Sequence, residues 1–518
     1  MKSPLTPLNF LARSAAVYRD TVAVVEGGRR LTYAQFHERA QRLASALRRH
    51  GVAPGDRVAI LAPNTLTALE PHFGVPLAGA VLVMLNIRLQ AQELAWMLNH
   101  CGARVLIADP QLLPVLDPVR SELRSLSFIT DDYEGLLAQG EFPFADARQP
   151  EEDDLLCINY TSGTTGFPKG VMFTHRGAWI NAIGEALEHG LTNRSVYLWT
   201  VPLFHCNGWC FAWAVTAVGA CHILLPQVDY ENMVALIRRE GVTHMCGAPV
   251  VVNGLTQHCA RNGIRFEHGF RIVTAGAPPS PAVLRAAEEM GASVTHAYGL
   301  TETYGPHTVC AWKSEWDALP LAERAQIKAR QGVPYIIAGT DLRVADSSMR
   351  DVPADGRTMG EVLMRGNNVM TGYYNNPQCT DETFRGGWFH SGDIAVVHAD
   401  GYIEICDRKK DIVISGGENI SSIEVEKVLY EHPAVLECAV IGVPDDKWGE
   451  VPQAHVTLKP DHNATAAELI EFCRSRLAHF KCPKYIVFGP VPKTATGKVR
   501  KTELRDAAWA GQKKKVKG

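Results

Sequence analysis

The chain has 518 residues, of which 46% are hydrophobic and 21% are charged. This globular composition excludes a collagen-like, coiled-coil or globally disordered chain. The 52 Lys and Arg residues nearly balance the 55 Asp and Glu residues, for a formal net charge of −3. The chain therefore lacks the overall positive charge that is typical of a dedicated nucleic-acid-binding protein.

The thirteen cysteines form no CxxC pair. This usage favours free thiols in a reducing compartment, so we expect a cytoplasmic protein. Cys206 and Cys210 are four residues apart but lack a second pair of metal ligands, which favours buried hydrophobic thiols over a zinc site.

The first twenty residues contain no continuous apolar run, so we expect no signal peptide.

Strands and helices alternate over the first hundred residues. Strands are predicted over 22–25, 57–62, 81–85 and 104–108, and helices over 33–50, 68–79 and 90–101. Thr32 and Gln35 form a capping box that begins the first of these helices. The alternation predicts a mostly parallel sheet with helices on both faces, with ligands beyond the carboxyl ends of its strands.

The segment 160–170, YTSGTTGFPKG, is the strongest local signal. Its glycines let backbone N–H groups approach phosphate oxygens, and its hydroxyls and lysine supply further donors. A predicted strand over 155–159 precedes it, although the Walker A spacing is absent. We therefore predict a phosphate-binding loop, and call segment 160–170 the phosphate loop.

No Asp, Glu, Lys or Arg occurs between Arg194 and Asp229. The uninterrupted apolar part of this stretch is shorter than the ~20 residues that a membrane span needs. We predict a buried helix followed by a buried strand, and no integral membrane segment.

Five further segments carry chemically useful side chains. They are PLFHCNG at 202–208, TAGAP at 274–278, HAYGLTET at 296–303, HSGD at 390–393 together with the Asp-Arg pair at 407–408, and KTATGK at 493–498. Each alone fits a solvated turn, but all of them in this order, with the phosphate loop, form a specific constellation.

The pattern changes after residue 333 to short strands with Gly, Pro, Asn and Asp turns, which predicts a small β-rich region. A compact α/β segment comes after the basic run at 408–410. It includes predicted helices over 422–432 and 466–477 and predicted strands over 437–442 and 453–458. The basic run lies where a second domain would begin.

The chain resembles the adenylate-forming superfamily from about Thr32 to Lys501. The resemblance implies an α/β fold with a large N-terminal domain of stacked αβ sheets plus a small β-rich subdomain, and a small mobile α+β C-terminal domain. Residues 1–409 would form the ATP- and acyl-binding domain and residues 410–518 the lid, with the hinge at Lys410.

The resemblance also implies a two-step reaction that uses ATP, Mg²⁺ and coenzyme A. A carboxylate attacks the α-phosphate of ATP, and the CoA thiol then displaces AMP.

The resemblance also implies residue roles. Lys498 bridges the carboxylate and the α-phosphate, Thr301 contacts the α-phosphate, and Glu302 is the metal ligand, as expected of a hard oxygen donor. His205 is the aromatic gate to the acyl pocket. The remaining nucleotide and CoA contacts are Thr161, Ser162, Gly163, Thr164, Thr165 and Lys169 at the phosphates, Gly276, Ala277, Pro278 and Tyr298 at adenine, Asp393 and Arg408 at ribose, and Gly416 and Gly417 at the pantetheine channel.

The segments that would line the acyl pocket contain no Asp, Glu, Lys or Arg, which favours an uncharged aliphatic or aromatic acyl group. They contribute Trp209, Trp213, Cys246, Ala248, Tyr304, Gly305, Pro306 and Val309. The bulky aromatics either shorten the pocket or pack the core. The stretches PLFHCNGWCFAW, THMCGAP and YGLTETYGP resemble methylmercaptopropionate-CoA ligases and plant short- to medium-chain acyl-activating enzymes.

We therefore predict an AMP-forming acyl-CoA synthetase for a short- to medium-chain monocarboxylic acid, with 3-methylmercaptopropionate as one candidate. The alternatives are an adenylation protein that transfers its acyl group to a carrier, an aryl-CoA ligase, a fatty-acyl-AMP ligase, a luciferase-like oxygenase and a non-catalytic ATP sensor. The expected partner is a small carboxylic acid rather than nucleic acid, and a homodimer is left open.

Overall fold

The computed structural model describes residues 3–146, 149–161, 168–277, 279–338, 341–416, 418–493 and 499–510. The chain divides into two compact units. The first consists of Met1–Leu342 with Met364–Phe389, and the second of Arg343–Leu363 with His390–Gly518. The second unit thus includes short strands that precede Lys410, and the predicted boundary and hinge at Lys410 stay predictions.

The helices, in chain order, are α1 Leu8–Val17, α2 Tyr33–Arg49, α3 Leu66–Leu69, α4 Pro71–Leu77, α5 Ala91–Cys101, α6 Tyr133–Ala138, α7 His175–Glu188, α8 Cys206–Trp209, α9 Phe211–Val218, α10 Tyr230–Glu240, α11 Pro249–Arg261, α12 Pro281–Glu289, α13 Leu321–Lys328, α14 Pro377–Thr383, α15 Ser422–Tyr430, α16 Ala466–Arg474 and α17 Lys501–Ala508.

The strands, in chain order, are β1 Val22–Glu26, β2 Arg29–Thr32, β3 Arg57–Leu61, β4 Val81–Met84, β5 Ala103–Ala108, β6 Phe128–Thr130, β7 Leu155–Thr161, β8 Lys169–Thr174, β9 Val196–Trp199, β10 Cys221–Leu224, β11 His244–Gly247, β12 Phe270–Thr274, β13 Ala292–Leu300, β14 Gly305–Val309, β15 Val333–Pro334, β16 Leu342–Ala345, β17 Gly360–Met364, β18 Gly372–Tyr373, β19 Phe389–Val397, β20 Ile403–Arg408, β21 Val413–Ser415, β22 Glu418–Ile420, β23 Val435–Asp445, β24 Gly449–Leu458 and β25 Tyr485–Phe488.

A seven-stranded sheet in the first unit has the order β18-β8-β7-β4-β3-β5-β6. Its strands from β7 to β6 are parallel, as the alternation predicted. The Thr32 capping box is present. The helix predicted over 68–79 is instead two helices, α3 and α4, because Pro71 lacks the N–H that a continuous helix would use.

A nine-stranded sheet in the same unit has the order β15-β14-β13-β12-β11-β9-β10-β1-β2. Helix α9 and strand β10 confirm the buried helix and buried strand predicted for the uncharged stretch. Within the described residues, no helix has the length and apolar character that crossing a bilayer requires. A hydrophobic core in this region joins β9–β13 to α10–α13 and includes the fully buried Met233, Leu255 and Phe270.

The second unit contains a four-stranded sheet, β16-β17-β19-β20, and a five-stranded sheet in which β22-β21-β24-β23 is extended by β25 against β24. Helices α15 and α16 pack on the larger sheet around Val440, Val456 and Leu469. The predicted α/β class, with a β-rich part and a small α+β C-terminal part, is confirmed.

Candidate active site

The phosphate loop connects the two strands of an antiparallel hairpin. Strands β7 and β8 pair with Tyr160 opposite Gly170 and Thr161 opposite Lys169. The two ends of the loop are therefore held side by side by backbone hydrogen bonds. The predicted contacts Ser162, Gly163, Thr164 and Thr165 lie outside the described residues.

Lys169 lies against a tyrosine and a cysteine from a distant segment. Its Nζ is 4.8 Å from the centroid of the Tyr373 ring and donates to the Cys379 Sγ at 3.0 Å. The Tyr373 hydroxyl in turn donates to the Glu302 Oε1 at 2.8 Å. Lys169 of the phosphate loop and Glu302, the predicted metal ligand, therefore both contact the Tyr373 side chain. Sequence reasoning missed Tyr373, although the turn signal GYYNNP at 372–377 marks its position.

Thr301 and Glu302 lie on a 3₁₀ turn, Thr301–Thr303, at the end of β13. The Thr301 Oγ1 accepts a hydrogen bond from the Cys206 thiol at 3.3 Å. The Glu302 carbonyl oxygen accepts from the backbone N–H of Met370 at 2.8 Å. Thr301, the predicted α-phosphate contact, is therefore next to the segment that comes directly after His205.

That segment, residues 206–210, includes the short α8, but its backbone is left-handed, so it is a turn rather than an ordinary α-helix. The φ angles of Cys206, Asn207, Gly208, Trp209 and Cys210 lie between +44° and +64°. Left-handed backbone costs a residue with a Cβ about 1–2 kcal/mol, so such a run requires a surrounding structure that enforces it. Asn207 is fully buried, and neither polar atom of its side chain has a hydrogen-bond partner. The strained backbone of residues 206–210 and the unpaired side-chain amide of Asn207 therefore both lie directly after His205, which is half-buried.

The predicted adenine contacts come after two neighbouring parallel strands. Strand β12 pairs with β13, with Thr274 opposite His296. Gly276 and Ala277 therefore leave the sheet beside Tyr298, which is half-buried. The φ angle of Gly276 is +88°, a conformation that favours glycine. Pro278 lies outside the described residues.

The residues predicted to line the acyl pocket are mostly buried. Trp213 and Tyr304 have no exposed surface, and Trp209 is 6% exposed. The Tyr304 ring stacks on Phe173 at 3.9 Å between centroids, and burial raises the pKa of its hydroxyl. Such packing is typical of core aromatics, so the pocket role of Trp213 and Tyr304 stays a prediction. Gly305 and Pro306 begin the buried strand β14, and the half-buried Ala248 caps α11.

Two buried polar residues of helix α7 also reach this region. The Asn181 Nδ2 donates to the backbone oxygen of Tyr304 at 2.7 Å. Glu185, one turn later, accepts from the Tyr335 hydroxyl at 2.6 Å, and burial raises its pKa. Sequence reasoning missed both residues, since polar side chains on a helix are normally exposed.

The predicted ribose contacts meet in the second unit. Asp393 and Arg408 are directly opposite each other on the antiparallel strands β19 and β20. The Arg408 Nε is 3.8 Å from the Asp393 Oδ1. Asp393 is buried and Arg408 is exposed. A carboxylate and a guanidinium at this spacing can accept from and donate to vicinal hydroxyls.

Lys410 is held by α17, the last helix within the described residues. The Arg505 guanidinium of α17 donates to the Lys410 carbonyl oxygen at 2.8 Å and pairs with the Asp411 carboxylate. Burial lowers the pKa of Lys410 to about 8. Lys498, three residues before α17, lies outside the described residues.

Gly416 lies against an exposed tryptophan. Its N–H donates to the Trp448 carbonyl oxygen at 2.8 Å, and a Cβ at Gly416 would be 2.7 Å from the indole ring. Trp448 is 47% exposed. Gly417 lies outside the described residues. Sequence reasoning missed Trp448, because only the fold brings it to this turn.

The residues present fit a single Mg²⁺ ion held mainly by substrate phosphates. The described residues contain no group of three or more His, Cys, Asp or Glu side chains that could form a protein-only metal site. Mg²⁺ commonly binds through one or two carboxylates together with substrate phosphates. The Glu302 carboxylate matches that arrangement, because it accepts from the hydroxyl of Tyr373, whose ring lies against Lys169 of the phosphate loop.

Comparison with protein families and with characterised relatives gives consistent results. The family described as AMP-binding enzyme matches residues 11–374, and the AMP-binding enzyme C-terminal domain matches residues 424–498. The chain is 47% identical to a 4-hydroxybutyrate–CoA ligase of Metallosphaera sedula, over 98% of this chain and 95% of that protein. It is 46% identical to a peroxisomal acetate/butyrate–CoA ligase of Arabidopsis thaliana, over 97% of this chain and 94% of that protein.

Solved structures of more distant relatives have the same fold. An anthranilate CoA ligase in complex with anthranoyl-AMP superposes with a TM-score of 0.87 at 28% identity, over 98% of both chains. The o-succinylbenzoate coenzyme A synthetase of Bacillus subtilis with ATP and a magnesium ion superposes with a TM-score of 0.83 at 27% identity, over 96% of this chain and 99% of that one.

Proposed function

Because this chain belongs to the family of AMP-binding enzymes and is an AMP-forming acid–CoA ligase, we propose that it converts a short- to medium-chain monocarboxylic acid into its CoA thioester. The enzyme uses ATP, Mg²⁺ and coenzyme A. One observation carries the proposal: relatives that are 46–47% identical over nearly their whole length are ligases of four-carbon and shorter acids.

In the proposed reaction, a few residues position ATP and the acid and stabilise their negative charge. Lys169 and the hydroxyls of the phosphate loop hold the β- and γ-phosphates, and Thr301 donates to the α-phosphate. Glu302 would hold the Mg²⁺ ion, which would supply positive charge against the phosphates. Lys498 bridges the acid and the α-phosphate as the new bond forms. These groups act by electrostatics and orientation rather than covalently.

The proposed substrate class is drawn from the predicted pocket and from the relatives. The segments predicted to line the pocket contain bulky Trp209, Trp213 and Tyr304 and no charged residue. The relatives act on 4-hydroxybutyrate, on acetate or butyrate, and on 2-methylpropanoate. We propose acids of about two to six chain atoms, a range that includes the acids named for these relatives. 3-Methylmercaptopropionate, which has the chain length of pentanoate, stays a candidate.

Pyrophosphate release over a panel of acids tests this proposal. We expect kcat/KM for linear acids between propionate and hexanoate to exceed that for laurate and for benzoate by at least about tenfold. An acyl group that does not fit its pocket lowers kcat/KM by about tenfold or more. The panel includes 4-hydroxybutyrate and 3-methylmercaptopropionate, is run with and without CoA, and is read by mass spectrometry.

Each other outcome of the panel supports a different function. An acyl-adenylate that never becomes a CoA thioester would indicate transfer to a carrier protein, and a preference for benzoates would indicate an aryl-CoA ligase. If no acid released pyrophosphate, the proposed function would be wrong.

The exposed Trp448 is proposed to contact CoA. Its ring covers the Gly416 turn that is predicted to face the pantetheine channel. We predict that Trp448→Ala raises the KM for CoA about fivefold, the size expected for loss of an aromatic contact, while the KM for ATP stays unchanged. Trp448→Phe, which keeps a ring, serves as the control. An equal rise in the KM for ATP would contradict a role in CoA binding.

We also propose a cytoplasmic location. All thirteen cysteines are described and all are free thiols, which fits a reducing compartment. Sedimentation of the purified protein tests whether it forms a homodimer, which the sequence leaves open.

A further inference from the structure

Strand β18 lies directly beside the strand that carries Lys169. It pairs antiparallel with β8, with Tyr373 opposite Val171. The Tyr374 N–H donates to the carbonyl oxygen of Gly170 at 2.7 Å. These backbone bonds fix the position of Tyr373 relative to the end of the phosphate loop.

The same short segment is also tied to the turn that carries Glu302. The Met370 N–H donates to the Glu302 carbonyl oxygen at 2.8 Å, and the Tyr373 hydroxyl donates to the Glu302 Oε1 at 2.8 Å. One bond therefore holds the backbone of Glu302, and the other holds one of its two carboxylate oxygens. Because the hydrogen bond restrains one oxygen of the Glu302 carboxylate, it also sets the direction in which the other oxygen points.

Helix α14, a few residues further along the chain, also holds Tyr373 in place. The Tyr373 N–H donates to the Thr380 Oγ1 of α14 at 2.9 Å, and Tyr373 is 6% exposed. The ring face lies 4.8 Å from the Lys169 Nζ, a distance at which the ring attracts a cation. Tyr373 thus contacts the predicted phosphate-binding cation and the predicted metal-binding anion at once.

We propose that Tyr373 is a positioning residue for magnesium–ATP: its hydroxyl orients the Glu302 carboxylate for the metal ion, and its ring holds the Lys169 ammonium for the phosphates. This inference rests on the proposed function for the identity of the nucleotide and the metal. It assigns two separable tasks to one side chain, because the hydroxyl and the ring face contact different partners.

Two substitutions separate the tasks. Tyr373→Phe removes the hydroxyl and keeps the ring, whereas Tyr373→Leu removes both. The control is Tyr374→Phe, since the neighbouring Tyr374 packs against the core cluster of the seven-stranded sheet and touches neither Glu302 nor Lys169 in the described contacts. Binding of ATP is measured by calorimetry, first in EDTA and then over a titration of Mg²⁺, with no acid or CoA present.

We expect Tyr373→Phe to raise the Mg²⁺ concentration for half-maximal enhancement of ATP binding about fivefold to tenfold, as for loss of one hydrogen bond to a charged group. Its ATP affinity in EDTA should equal that of the wild type. Tyr373→Leu should show the same metal defect and also a weaker affinity in EDTA. Tyr374→Phe should match the wild type in both measurements.

An unchanged Mg²⁺ dependence in Tyr373→Phe would overturn the inference, as would an equal loss of affinity with and without the metal. A double-mutant cycle gives a second measurement: in a Glu302→Gln background, Tyr373→Phe should have no further effect on the Mg²⁺ dependence, and an additive effect would also overturn the inference. If wild-type protein bound no ATP at all, the proposed function itself would fail instead.

Discussion

Replacing Lys498 with alanine is expected to slow adenylate formation by about a hundredfold to a thousandfold, the range seen when one preorganised charge-stabilising group is removed. The proposed role of this lysine is to hold the acid carboxylate and the α-phosphate together while negative charge develops between them. In the second half-reaction the CoA thiol attacks the acyl carbon and AMP leaves, and the proposal assigns Lys498 no part in that step. The second half-reaction from supplied acyl-adenylate should therefore proceed near the wild-type rate.

The two half-reactions are measured separately, as acid-dependent pyrophosphate release and as CoA thioester formed from synthetic butyryl-adenylate. Lys493→Ala is the matched control. It removes a lysine five residues earlier, whose Nζ pairs with Glu437 at the surface, and should leave both rates within about twofold of the wild type. Equal loss of both half-reactions in Lys498→Ala would sink the assignment.

Replacing Lys501 with methionine is expected to lower the free energy of unfolding of the second unit by about 3 kcal/mol, as for one partner of a buried ion pair. The Lys501 Nζ lies 2.7 Å from the Glu426 Oε1 and donates to the Ser422 hydroxyl at 2.5 Å. Both side chains of the ion pair are less than 15% exposed. Although burial lowers the pKa of Lys501, the carboxylates of Glu426 and Asp407 raise it overall. The substitution would leave these carboxylates buried without their cation.

The measurement is urea-induced unfolding followed by fluorescence. Lys481→Met is the control, because the Lys481–Glu424 pair is partly exposed, at 27% and 39%, and should contribute less than about 1 kcal/mol. Glu426→Gln combined with Lys501→Met should recover part of the loss, since it removes a stranded charge. A loss for Lys501→Met no larger than that for Lys481→Met would show that the buried pair contributes little.

Local sequence patterns predicted most of the strands and helices between residues 22 and 108, but not α1, β2, β6 or α6. The Thr32 capping box, the strands β3, β4 and β5 and the helix α5 arise from hydrophobic periodicity and end signals that act within a few residues. The break between α3 and α4 shows the limit of this reasoning. The apolar pattern continues through Pro71, and only the missing backbone donor of proline ends the first helix.

The candidate site was predictable where its chemistry is concentrated in short motifs. As candidates whose roles stay predictions, the phosphate loop could be identified from residue types and spacing, and Thr301 with Glu302 and Asp393 with Arg408 could be identified from the resemblance to the adenylate-forming superfamily. Tyr373, Trp448, Asn181 and Arg505 could not, because each acts on a residue far away in the chain. Tyr373, for example, is 71 residues from the Glu302 carboxylate to which it donates.

By itself, the sequence predicted the class of fold and, through its resemblance to the adenylate-forming superfamily, the kind of reaction. It also predicts the nucleotide contacts, which stay predictions, because phosphate loops, caps and turns are built from neighbouring residues. The tertiary structure decided which distant side chains support those contacts. It placed the Tyr373 ring between Lys169 and Glu302, Trp448 against Gly416, and α17 against Lys410. These placements depend on strand register and helix packing, which bring together residues whose spacing in the chain carries no periodic signal.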